Sequence, residues 1–155
     1  ITKPTISAAA WNTHRVSEKN LNKHEHIFYE LQKKHKMIVQ EFQKSVVSFG
    51  EISLVLIGGV VTHAVIKRAK KGDYRVQDDY GGSVRIYKPS TEEVRFGELV
   101  VSKCSPTPAY ARVDIIIDNK NELALSELEL IEPELWFRFC PDSAYLLAKE
   151  ITKNS

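Results

Sequence analysis

The chain has 155 residues, 43% hydrophobic and 27% charged, with a formal net charge of +2. That is enough for one globular domain with its own core, and it excludes a disordered or membrane-spanning chain, since no apolar run approaches the ~20 residues of a span. A charge this small does not by itself argue for nucleic acid.

In chain order, KPTISAAAWNTHRV (3–16) is small and polar and reads as a loop. From Asn20 to about Lys36, Leu21, Phe28, Leu31 and His35 recur at near-helical spacing. MIVQEFQ (37–43) reads as a strand by its β-branched and aromatic content. EISLVLI (51–57) and VVTHAVIKR (60–68) flank Gly58-Gly59, which predicts a tight hairpin because glycine supplies the positive φ such turns need. A polar loop (70–83) and a short strand SVRIY (83–87) follow. Ser90-Thr91-Glu92-Glu93 has capping-box spacing and starts a helix that runs to about Lys103, weakened by Gly97. AYARVDIII (109–117) and ELALSELELI (122–131) predict a second hairpin, and a last helix opens at Asp142 with Ala144, Leu147, Ala148 and Ile151 as its apolar stripe. Mixed elements dominated by antiparallel hairpins argue an α+β fold.

Two cysteines, Cys104 and Cys140, stand apart in apolar contexts, which suits buried thiols in a reducing compartment and a cytoplasmic location. There is no secretory signal. The chain starts Ile1-Thr2-Lys3-Pro4 and its single methionine is Met37, so it reads as a piece of a longer protein.

The stretch LSELELIEP (125–133) sets three carboxylates among leucines and isoleucines. Glu127 and Glu129 share a strand face. A short hairpin loop puts Asp114 opposite residue 125 or diagonal to Glu127, so all three acids converge. With no lysine adjacent, such a trio suits a divalent cation held by oxygen ligands. The spacing alone leaves a solvated strand face equally open. Lys67, Arg68, Lys70, Lys71 and Arg75 cluster just before Gly81-Gly82, and Arg112 shares the face of Asp114. Cations beside clustered carboxylates fit a polyphosphate bridged by Mg2+. His63 alternates with apolar neighbours and reads as a structural histidine, and Trp136 and Phe137 read as core. His14, His24, His26 and His35 show no ligand spacing.

The ordered motifs KPTISA (3–8), VQEF (39–42), GEISLVLI (50–57), KRAKKGDYRVQDDYGG (67–82), ARVD (111–114) and ELELIEP (127–133) resemble the C-terminal part of the ATP-grasp superfamily. The likeness is greatest to its glutathione synthetase and D-alanine–D-alanine ligase branches. It covers the whole chain, so that 1–155 is expected to be the C-terminal portion of an ATP-grasp domain, an antiparallel sheet with packed helices. The first part of that domain and an N-terminal substrate domain are expected to lie outside it. The resemblance implies an ATP- and Mg2+- (or Mn2+-) dependent ligase, with ATP bound between this portion and a smaller one. It would join a small amino-acid or peptide-like carboxylate to an amine or thiol acceptor through an acylphosphate. The piece alone is expected to be inactive.

Residue by residue, Lys3 matches a lysine on ATP phosphate, and Ser7 a loop that folds over the phosphates. That loop is often glycine-rich but is Ala8-Ala9-Ala10 here. Gln40, Glu41 and Phe42 match the linker whose backbone binds adenine, and Glu51 the acid on the ribose hydroxyls. Arg68 and Arg75 match basic residues near the γ-phosphate and acyl substrate, and Arg112 an arginine that stabilises developing charge. Asp114, Glu127 and Glu129 match the metal ligands; many relatives carry asparagine at the position of Glu129. A nucleotide-binding module without turnover is the alternative. Nucleic-acid binding through the basic loop has the least support, no membrane contact is expected, and a homo-oligomer is left open.

Overall fold

The computed structural model describes residues 1–7, 10–70 and 81–153. They fall into two compact units, Ile1–Gln43 and Lys44–Ser155. In the first, β1 (Thr2–Pro4) pairs antiparallel with β2 (Met37–Val39), and α1 (Leu21–Gln32) follows a 3-10 turn at Glu18–Asn20. Thr2–Pro4 is therefore strand where a loop was expected. The strand expected over 37–43 stops at Val39, because its partner offers only three residues to pair with. The helix expected to reach Lys36 ends at Gln32.

The second unit begins with a short helix, α2 (Ser45–Ser48), which was not anticipated. Five antiparallel strands follow: β3 (Glu51–Ile57), β4 (Val60–Arg68), β5 (Ser83–Tyr87), β6 (Tyr110–Ile117) and β7 (Leu123–Glu129). They lie in the order β5-β4-β3-β6-β7. Gly58 and Gly59, at φ of +56° and +83°, form the expected two-residue turn. α3 (Thr91–Val101) starts with the reciprocal cap: Glu93 N–H donates to Ser90 Oγ at 3.2 Å, and Ser90 N–H to Glu93 Oε2 at 2.7 Å.

All seven residues of β3 are buried, so the sheet is covered on both faces. Ile52, Leu54 and Leu56 join Ala64, Ala111, Val113 and Ile115 on one face, packed under Phe96, Val100 and Val101 of α3. Each such aliphatic side chain contributes about 1.5–3 kcal/mol by leaving water. Gly97 has a packing reason: a Cβ there would stand 2.5 Å from Leu54 Cδ1, so only glycine lets the helix lie this close. The other face is mixed. Val55 and Val65 pack beneath Trp136, with Leu135, Phe139 and Val84 around them. Glu51, Ser53, His63, Lys67, Arg112 and Asp114 are buried polar residues of that face, placed there by strand alternation.

Two sequence expectations change here. α4 (Asp142–Lys153) turns Ser143, Leu147 and Glu150 inward, while Ala144, Ala148 and Ile151 of the expected stripe are exposed. At this edge the helix meets the Gly58-Gly59 turn, and the Glu150 carboxyl carbon lies 3.0 Å from where a Cβ on Gly58 would be. The β6–β7 register also differs: Asp114 pairs directly with Glu127 and Arg112 with Glu129, while Ile115 pairs with Leu125. Ser126 is the extra residue of a bulge. Leu125 and Glu127, two residues apart, thus lie on opposite faces, and the bulge is what brings both glutamates round to Asp114.

Candidate active site

Asp114 is the centre of the polar face, with no exposed surface. Lys67, on β4, reaches across β3 to it, its Nζ 2.8 Å from Asp114 Oδ2 and 2.5 Å from Glu51 Oε1. Arg112, two residues along β6, donates from Nε to Oδ1 at 3.0 Å and from Nη2 to Oδ2 at 3.0 Å. The same Nη2 also pairs with Glu129 Oε1. Glu51 is fixed from the far side by Ser126, whose hydroxyl donates to Oε2 at 2.8 Å. The indole of Trp136 covers the group, 5.3 Å from the Arg112 guanidinium carbon and 5.9 Å from Lys67 Nζ. Trp136 takes a left-handed backbone, φ 45°, which costs on the order of 1 kcal/mol for a non-glycine residue. Burial of the ring and a 2.8 Å bond from the backbone N–H of Trp136 to Glu134 Oε1 hold it there.

Asp114, Glu127 and Glu129 each offer a carboxylate oxygen within 4.8 Å of the others, the geometry of a three-carboxylate cation site. Among the described residues the Glu127 carboxylate has no hydrogen-bond or ion-pair partner. Four carboxylates, counting Glu51, therefore share two cations, a formal shortfall of two positive charges. The titration shifts follow from this. Burial pushes Asp114 up, but Lys67 and then Arg112 outweigh it and hold the carboxyl below its usual range. Burial pushes Glu51 up, and its share of Lys67 only partly offsets that. Glu127 is exposed as a residue, yet desolvation of its carboxyl, then the charges of Glu129 and Asp114, push it up. Burial alone would lower Lys67, but Glu51 and Asp114 keep it charged.

The expectation that no lysine stands beside the trio is overturned: Lys67 is in contact with Asp114. Consecutive strand residues point to opposite faces, so Arg68 is exposed on the face away from the carboxylates, where its Nε bonds Phe49 O at 3.0 Å. Arg75 lies outside the described residues. Glu51, at the start of β3, is 8% exposed with both oxygens bonded. In the first unit, Lys3 sits in β1 opposite Ile38. Ser7 is exposed, its hydroxyl bonded to Trp11 O at 2.7 Å. Gln40 pairs with Ile1 through its backbone N–H and C=O, at 2.9 and 2.8 Å. Glu41 is exposed, and Phe42 lies under Arg15, 3.9 Å from ring centroid to guanidinium carbon. His63 is satisfied on both nitrogens, by Thr62 Oγ1 at 2.9 Å and Leu135 O at 2.8 Å, as a structural histidine should be. Lys67 and Ser126 are the site residues missed from sequence. Lys67 was legible in the alternation His63, Val65, Lys67, which shares a face with Asp114. Ser126 was legible in a change of leucine spacing taken up below.

Residues 16–131 match the family model of the RimK-like ATP-grasp domain. Among solved structures, D-cycloserine synthetase DcsG superposes with a TM-score of 0.76 at 23% identity, over 99% of this chain and 54% of that one. D-alanine–D-alanine ligase from Bacillus anthracis superposes with a TM-score of 0.63 at 16% identity, over 98% and 52%. Macrocyclase MdnC, solved with its precursor peptide MdnA from Microcystis aeruginosa MRC, superposes with a TM-score of 0.57 at 16% identity, over 99% and 48%. At these identities the likeness is one of fold, and the chain spans about half the length of each. No curated protein sequence matches it significantly.

Proposed function

The chain belongs to the RimK-like ATP-grasp family, and on that premise we propose that it works in an ATP- and Mg2+-dependent ligase. A substrate carboxylate takes the γ-phosphoryl group of ATP to give an acylphosphate and ADP. An amine or thiol then attacks the acyl carbon and phosphate leaves. The acyl donor is a small amino-acid or peptide-like carboxylate. The observation that carries this reading is the trio Asp114, Glu127 and Glu129, on one face of a site whose four carboxylates, with Glu51, are short of two positive charges. The donor set is all oxygen, which fits Mg2+ or Mn2+.

A divalent ion held there neutralises charge on the polyphosphate. The chain's own residues do the rest. Arg112 is fixed through Nε and Nη2, and its Nη1 makes none of those bonds, so that edge is available to charge developing on the transferred phosphoryl. Lys3 and Ser7 contribute to the phosphates and the backbones of Glu41 and Phe42 to adenine, with Arg75 near the acyl substrate. Positioning and charge neutralisation carry such a transfer, and no side-chain nucleophile is needed.

The test is ADP release by the full-length protein in the presence of Mg2+ and candidate carboxylates. Glu127→Gln should cut it by about a hundredfold or more with unchanged circular dichroism. Wild-type turnover in that variant sinks the metal assignment. Nucleotide binding by the unmodified protein without any ADP release marks a binding module instead.

A further inference from the structure

The side chain closest to Asp114 is itself a cation. Lys67 starts on β4 opposite Glu51, yet its ammonium reaches past β3 to β6 and divides its contacts between Glu51 and Asp114. The residue of β3 paired with Asp114 is Ser53, small enough to leave that route open. Its hydroxyl is fully buried and has no hydrogen-bond partner among the described residues. An ammonium that gives up Asp114 thus keeps Glu51 and has an unused acceptor on the neighbouring strand. Glu51 in turn is tied through Ser126 to the bulge of β7, directly before Glu127. The contacts of Lys67 and those of the carboxylate trio therefore meet at a single side chain, Asp114.

We propose that Lys67 is a built-in competitor for the cation site: its ammonium and a divalent ion contend for Asp114, and the ion binds by sending Lys67 wholly onto Glu51. This rests on the reading of Asp114, Glu127 and Glu129 as the ion's ligands. Asp114 already carries both Lys67 and Arg112, and a divalent ion brought to the same carboxylate is repelled by the ammonium beside it, so the ion and Lys67 each weaken the other. Glu51 becomes a positioning residue, which sets how readily Lys67 lets go. The site's affinity for the bare ion is held below what three carboxylates would give alone.

The experiment is calorimetric titration of the full chain with Mn2+ alone. Lys67→Met removes the competitor but also one positive charge, which strengthens cation binding for a trivial reason. The decisive variant is the double Glu51→Gln/Lys67→Met, neutral overall and free of a stranded buried charge. It should bind Mn2+ about tenfold more tightly than the unmodified chain, in line with measured couplings between close charges. Glu51→Gln alone should bind more weakly, because Lys67 then has Asp114 as its one carboxylate. Unchanged or weaker binding by the double variant overturns competition while leaving the metal site standing. Absence of Mn2+ binding by the folded, unmodified chain overturns both. A measurement without variants guards against misfolding: with lysine labelled at Cε, the Lys67 resonance should move saturably as Mg2+ is added. A resonance that stays fixed while Mg2+ binds overturns the proposal.

Discussion

His14 and His24 face each other with ring centroids 5.2 Å apart, and each hides a nitrogen, Nε2 of His14 and Nδ1 of His24, that has no partner among the described residues. Burial, and then the charge of His24, lower the pKa of His14 below the ordinary 6.5. The folded chain therefore binds fewer protons than the unfolded chain between that lowered value and 6.5. Stability rises with pH across this window and is lost as pH falls through it. His14 is tied to β1 by two backbone bonds with Thr2, each 2.9 Å, so the loss should be felt there first. Amide exchange at Thr2 and His14 should accelerate as pH drops below about 6.5, beyond its intrinsic pH dependence, and His14→Gln should remove the step. His63 is shifted the same way by burial, against the pull of Leu135 O, but it belongs to the other unit. A local readout keeps the two apart. Exchange that stays flat down to pH 5 would refute the assignment. Nothing in the sequence flagged this pair, because residues ten apart with no shared periodicity meet only through the fold of the first unit.

On β7 the apolar positions change phase. Leu123 and Leu125 are odd-numbered, Leu128 and Leu130 even-numbered, and Leu123, Leu128 and Leu130 pack on the same core. The step of three between Leu125 and Leu128 marks the bulge at Ser126. That argues for two deletions of equal length and opposite outcome. Without Ser126, Ile115–Leu125 and Asp114–Glu127 become consecutive plain pairs, and both glutamates stay on the polar face. The cost is the Ser126 bond to Glu51, about 1–3 kcal/mol for a charged acceptor, so the variant should fold and melt several degrees lower. Without Leu128, Glu129 moves onto the face packed by α3, where an unpaired charge is not tolerated, and the protein should fail to fold. Thermal melts of the two variants decide it, and equal behaviour would refute the register. Strands, the Gly58-Gly59 turn and the Ser90 cap were legible from residues close in sequence. Lengths were not, because β2 is limited by β1. Nor was the inward face of α4, because it is chosen by a turn some ninety residues away. The carboxylate trio was legible by type and parity. The face of its cationic partner Lys67 was legible by the same parity, but the contact itself was not, because it crosses a whole strand.

At the scale of the molecule, the five-stranded sheet, its two cores and the whole carboxylate network belong to the unit Lys44–Ser155. Residues 44–155 expressed alone should therefore fold cooperatively and keep any divalent-ion affinity that the full chain has. A fragment that stays unfolded, or folds but loses that affinity, would show that the first unit is needed for the site. The division has an optical consequence. The chain has two tryptophans; Trp11, half in solvent, lies in the first unit, and Trp136, 4% exposed, lies in the second beneath two cations. The fragment thus holds a single tryptophan, whose emission, excited at the red edge beyond tyrosine absorption, should be blue-shifted and poorly quenched by iodide. Its brightness should follow the charges held against the indole. Mg2+ absorbs no light in that range, so a saturable intensity change on titrating it, erased by Asp114→Asn, would let the site be read directly with a lamp and a cuvette.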